Sequence, residues 1–187
     1  MTTELADLLG IHIEAAKTTK LAACTEQGGP CDINQMMIWV DENDKTGLAV
    51  MDIKGDVKEY LGEALALLTE QSPKFVILVG EALGQSASSA EEAKELREKY
   101  ERGKMSEDHR TLGPLAGLRE FIALNAVDTI TGDQMQAIAE FTYDDFGLPV
   151  FRENIIGEIP RRMYGEAYIS TMLDRFHQFM VWSRAQG

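Results

Sequence analysis

The alternation of apolar and polar positions is most legible between Gly55 and Glu81. Val57, Tyr60, Leu61, Ala64, Leu65 and Leu68 recur at intervals of three and four, the spacing of one apolar helical face. Asp56 can cap this helix, with Glu59 three residues on as in a capping box. Pro73 disfavours helical geometry at Ser72, so the helix is predicted to stop there. The five consecutive apolar residues Phe75 to Val79 then predict a strand buried on both faces, leading out to a carboxylate, Glu81.

Other segments carry weaker versions of the same signals. Leu5, Leu8, Leu9, His12 and Ala16 lie near one face of a helix expected from Thr3 to about Lys20, with Thr3 available as its cap. Gly28-Gly29-Pro30 is a breaker, so the stretch from Cys24 to Cys31 must contain a loop or turn. Met36 to Val40 and Leu48 to Ile53 flank a polar segment ending in Gly47, which predicts an antiparallel hairpin. Pro149 makes Leu148 to Phe151 a candidate edge strand, because proline cannot donate to a central ladder. A last helix is predicted from about Gly165 to Arg184, with Ile169, Met172, Leu173, Phe176 and Met180 on one face.

Two regions are less decisive. Small residues from Gly84 to Ala90 precede a charged run from Glu91 to Lys104 whose sizeable apolar residues are Leu96, Tyr100 and Met105. Residues 85–114 therefore read as a mobile, partly helical excursion. Residues 115–143 suit either a second hairpin around Thr131-Gly132 or two helices, and helices are preferred. Pro114 fits a first helical position, Leu115, Leu118 and Ile122 keep helical spacing, and Thr131 or Asp133 can cap Met135, Ile138 and Ala139. The expected whole is one α+β domain over residues 1–187. Its small, largely antiparallel sheet of about three to five strands is covered by N-terminal, central and C-terminal helices.

Composition narrows the partners. At 187 residues, 44% apolar and 26% charged, the chain has the balance of a globular domain. Its 31 acidic against 18 basic residues leave a net charge of −13, a field that repels phosphate backbones and anionic lipid. The adjacent Arg161 and Arg162 do not offset it and read as a solvated pair. No apolar run reaches the roughly 18 residues of a membrane span. The acidic start, Met1 to Asp7, is unlike a signal peptide, so a soluble, cytoplasmic protein is expected. Two cysteines are too few for a disulfide framework and suit a reducing compartment.

Candidate chemistry is sparse. His12-x-Glu14 and Pro30-Cys31 match two pieces of a zinc-deaminase pattern, but Asn34 stands where the next cysteine ligand belongs. Cys24 and Cys31 could bridge or bind metal if the loop joined them; two separate thiols are favoured. Asp41 opens a segment that begins like a calcium loop and fails at Lys45 and Thr46, leaving an acidic hairpin tip. Dinucleotide, Walker and serine-hydrolase motifs are missing, and no cofactor is expected. Glu81 remains as the candidate acid or base at a strand end, against the commoner case of a paired or solvated glutamate. The pattern favours a non-enzymatic, acidic interaction or accessory protein with a basic protein partner. The alternatives are a small hydrolase or transferase using Glu81 with His109 or Asp128, and a subunit of a larger assembly or homo-oligomer.

Overall fold

A computed structural model describes residues 3–51, 57–84, 119–159 and 168–186. Helix α1 (Thr3–Gln27) precedes a hairpin of β1 (Gln35–Val40) and β2 (Thr46–Met51). Helix α2 (Val57–Gln71) leads into β3 (Phe75–Gly84). A second hairpin, β4 (Arg119–Asp128) and β5 (Gln134–Tyr143), is followed by β6 (Pro149–Phe151), β7 (Ile155–Glu158) and helix α3 (Tyr168–Gln186). The expected excursion at 85–114, with His109, and the Arg161-Arg162 pair lie outside the described residues. Among the described residues no helix is long and apolar enough to cross a membrane.

The strands form an antiparallel sheet in the order β2-β1-β3-β4-β5-β6, with β7 also on β5. β2 and β3 run the same way on either side of β1, so the connection between them crosses over through α2. β6 and β7 share the outer edge of β5. Their register slips by one residue between the Phe141–Phe151 and Ile138–Ile155 pairs, which makes the join a β-bulge.

Period-two alternation divides the core into two layers. Ile38, Val40, Phe75, Ile77, Val79, Ile122, Leu124, Ala126, Met135, Ala137, Ala139 and Phe141 face α1, which contributes Leu5, Leu9, Ile13 and Ala16. The opposite face presents Met37, Val76, Leu78 and Val127 to Ala64 and Leu68 of α2 and to Leu173, Phe176 and Met180 of α3. Full burial of side chains such as Phe75 and Phe176 contributes roughly 1.5–3 kcal/mol each, which is why both sheet faces need a helical cover. Phe75 to Val79 is thus the doubly buried strand its apolar run predicts.

Two expectations are corrected. Among the described residues the sheet has seven strands rather than three to five. The preferred helices within 115–143 are instead the β4–β5 hairpin over the described residues from Arg119 onward. Helical spacing of Leu118 and Ile122, and of Met135, Ile138 and Ala139, is outweighed by two alternating series, Ile122-Leu124-Ala126 and Met135-Ala137-Ala139-Phe141.

Three hairpin turns among the described residues share a device. Asp41 Oδ1 accepts from the Asn43 and Lys45 amides, Asp128 Oδ1 from Ile130 and Thr131, and Asp144 Oδ1 from Phe146 and Leu148. Each aspartate ends or follows a strand and satisfies turn amides that the ladder leaves open.

Candidate functional site

The end of α1 builds the site. Its buried stripe runs Leu5, Leu9, Ile13, Ala16, Lys20, Cys24, at steps of three and four, so the apolar face continues through a lysine. The helix closes in a Schellman motif: the Gly29 amide donates to Cys24 O at 3.0 Å and the Gly28 amide to Thr25 O at 3.3 Å. Gly28 supplies the left-handed residue, φ 69°, that this reversal requires. The chain then doubles back and brings Cys31 beneath Cys24. The β5–β6 turn seats on this loop, with the Cβ position of Gly147 only 2.8 Å from Pro30 Cδ.

Strand β3 supplies the counter-charge. Phe75, Ile77 and Val79 face α1, and two residues further the same face carries Glu81. The Lys20 ammonium, fully buried, donates to Glu81 Oε1 at 2.7 Å and Oε2 at 2.8 Å. It also donates to the carbonyl oxygen of Cys31. Glu81 Oε1 further accepts the Ile33 amide at 2.7 Å. Lys20 Nζ also lies over the Phe141 and Tyr143 rings, 4.8 Å and 5.6 Å from their centroids, so two aromatic faces stabilise the ammonium beside the carboxylate. Burial pulls the Lys20 pKa down, but hydrogen bonding to Glu81 and Tyr143 outweighs it and holds the ammonium above its ordinary value.

The two thiols touch. Cys24 Sγ and Cys31 Sγ are 3.2 Å apart, both buried and both free thiols, with Cys24 in the last turn of α1 and Cys31 on the loop beyond it. Desolvation, with the contact to Cys24 next, pushes the Cys31 thiol up to about 11. A thiol so held is almost wholly protonated at neutral pH and is a poor nucleophile or metal ligand.

Of the sequence candidates, Glu81, Cys24 and Cys31 therefore converge on Lys20, and the others stand apart. His12 is half-buried on the flank of α1, its pKa lowered by desolvation, which favours neutral imidazole. The Asp41 carboxylate is engaged by its own turn. Asp128 is buried in the β4–β5 turn, likewise engaged by backbone amides. Among the described residues no three His, Cys, Asp or Glu side chains are grouped to hold a metal ion.

Lys20 is the member that the sequence expectation omits, because a lysine ends an apolar stripe when a helix is read alone. The signal was Cys24 one turn further, which resumes the stripe and forces Lys20 inward, together with the odd-numbered series of β3 that puts Glu81 on the facing side. Comparison with known protein families, with curated proteins and with solved structures finds no match to this chain.

Proposed function

We propose that the chain is a non-enzymatic, acidic interaction protein that receives a basic, extended segment of a protein partner along β2. The observation that carries this reading is the exposure of Leu48 and Val50, 54% and 59%, on an outer strand of the sheet. They pair with Ile38 and Met36, so they share the sheet face on which α1 packs farther across, over β4 to β7. An outer strand offers main-chain donors and acceptors to an added strand, and alternate side chains give the register. The hairpin tip entering β2 carries Asp41, Glu42 and Asp44, and the whole chain carries −13, so a basic segment is attracted. Two copies of this chain repel each other by the same charge, which favours a different partner over self-pairing.

The polar cluster supports the non-enzymatic side of the reading. Lys20 is kept as an ammonium and Cys31 as a thiol, the unreactive form of each, and both oxygens of Glu81 already accept hydrogen bonds.

The test is capture from the native cell at low salt, using the full chain and a Leu48→Ser/Val50→Ser variant. A partner retained by the first, lost at least about tenfold from the second, and released as salt rises is the expected result. Hydrogen exchange on the captured complex should slow at the β2 amides. Failure to recover any partner at low salt, equal recovery by the variant, or protection confined to other strands refutes the proposal.

A further inference from the structure

We infer that Cys24 and Cys31 form a two-electron dithiol–disulfide couple whose oxidant is a hydroperoxide. The two sulfurs are already in contact at 3.2 Å, and the approach is fixed by backbone rather than by chance rotamers. The Schellman closure from Gly29 to Cys24 O sets the loop's start, the Gly147 turn packs on Gly29 and Pro30, and the Cys31 carbonyl accepts the Lys20 ammonium. A disulfide needs the sulfurs to close to about 2.0 Å, a small movement for a pair so placed. Glu81, the carboxylate nearest them, has both oxygens bonded by Lys20, and among the described residues no three His, Cys, Asp or Glu are grouped to hold a metal ion, so the pair suits a bridge better than a metal site.

The two thiols have unequal access, which sets the order of events. Cys24 is fully buried and Cys31 is 8% exposed, so a small oxidant reaches Cys31 first. Cys31 Sγ, as thiolate, attacks one peroxide oxygen; the O–O bond breaks, a proton is taken up, water leaves, and Cys31 becomes a sulfenic acid. Cys24 Sγ then attacks that sulfur, forming the S–S bond and breaking S–O, and a second water leaves. In sum two thiols and one hydrogen peroxide give one disulfide and two waters, with two electrons passing to the peroxide. Cys31 faces Cys24 and Lys20 from α1 and Glu81 from β3, and its pKa of about 11 makes the first step slow at neutral pH.

The full chain treated with hydrogen peroxide at about pH 9, where more thiolate is present, gives the test. After quenching, unfolding and alkylation, the expected product is lighter by about 2 Da, takes up no alkyl group, and regains both thiols with dithiothreitol. In Cys24→Ala a 1,3-dione should trap a sulfenic acid at Cys31, which the unsubstituted chain does not accumulate. Full alkylation of both cysteines after peroxide, a disulfide between two chains, or equal trapping with and without Cys24 overturns the inference.

Discussion

Lys20 and Glu81 lie 61 residues apart in the chain, yet the Lys20 ammonium bonds both oxygens of the Glu81 carboxylate inside the α1 face of the sheet. The lysine side chain is fully buried and the glutamate retains 18% of its exposure, so the two partners are not equivalent. Removing one leaves the other without its counter-charge, and the cost falls hardest where the survivor has no water. Glu81→Leu is expected to destabilise by about 4 kcal/mol and Lys20→Met by about 3 kcal/mol. The double variant should be less damaging than Glu81→Leu alone, because no isolated charge remains. Denaturant midpoints for the four proteins check this, and additive losses would show that the pair is not coupled.

Alkaline pH should unfold the protein earlier than its acidic composition suggests. The Cys31 thiol rises from an ordinary 9.0 to about 11, chiefly through desolvation, and the Lys20 ammonium is held above its ordinary 10.5. Both folded-state values lie above the unfolded ones, so both contributions are complete below the unfolded pKa and fade as pH climbs through the folded one. The Cys31 contribution is therefore lost between pH 9.0 and about 11, and the Lys20 contribution from 10.5 upward. Urea midpoints should hold level on the approach to pH 9.0 and then fall, with the early part of the fall missing in Cys31→Ala. A decline of identical shape in that variant would remove Cys31 as its source.

How much of this was legible follows from range. The β3 strand, the α2 stripe and the first hairpin depend on near neighbours in the sequence, and their patterns speak directly. In contrast, β4 and β5 carry both periodicities: Met135, Ile138 and Ala139 fit a helix, while Met135, Ala137, Ala139 and Phe141 fit a strand. What decides is tertiary, since Ile122 to Ala126 must pair with β3 on one side and β5 on the other. The site divides the same way. Glu81 was visible as a carboxylate leaving a buried strand, but its partner belongs to a helix whose contact with β3 no local pattern reports. The thiol contact likewise depends on a left-handed Gly28, which Gly-Gly-Pro permits without specifying.

The loop carrying Cys31 should be held by the β5–β6 turn. Gly147 has φ 76°, and an added Cβ would lie 2.8 Å from Pro30 Cδ and 3.1 Å from Gly29 Cα, so Gly147→Ala meets both backbone strain and a clash. Gly28 has φ 69° with open space around its Cβ position, and Gly29 has open space without the positive angle. Alanine is thus expected to cost about 2–3 kcal/mol at 147, about 1 kcal/mol at 28, and no more than about 0.5 kcal/mol at 29. Thermal or urea unfolding of the three variants ranks them. If Gly147→Ala is no worse than Gly28→Ala, the turn does not press on the loop.

A second polar knot fixes α3 to the sheet. Thr129, fully buried after β4, donates its hydroxyl to Pro73 O at 2.6 Å, while Arg184 in the last turn of α3 donates to Thr129 O, Thr129 Oγ1 and Pro73 O, each at 2.9 Å. Thr129→Val keeps the shape and removes the shared hydroxyl, leaving the guanidinium one acceptor short and weakening satisfaction of the Pro73 carbonyl; a loss of about 1–3 kcal/mol is expected. Arg184→Leu removes the cation and its reach across to the α2–β3 junction, so exchange protection in the last two turns of α3 should fall before that of β4. Because the same three groups are involved, the double variant should lose less than the sum of the single losses. Amide exchange that stays equal along α3 in Arg184→Leu would mean that the helix is held by Phe176 and Met180 alone, with the knot contributing nothing to its end.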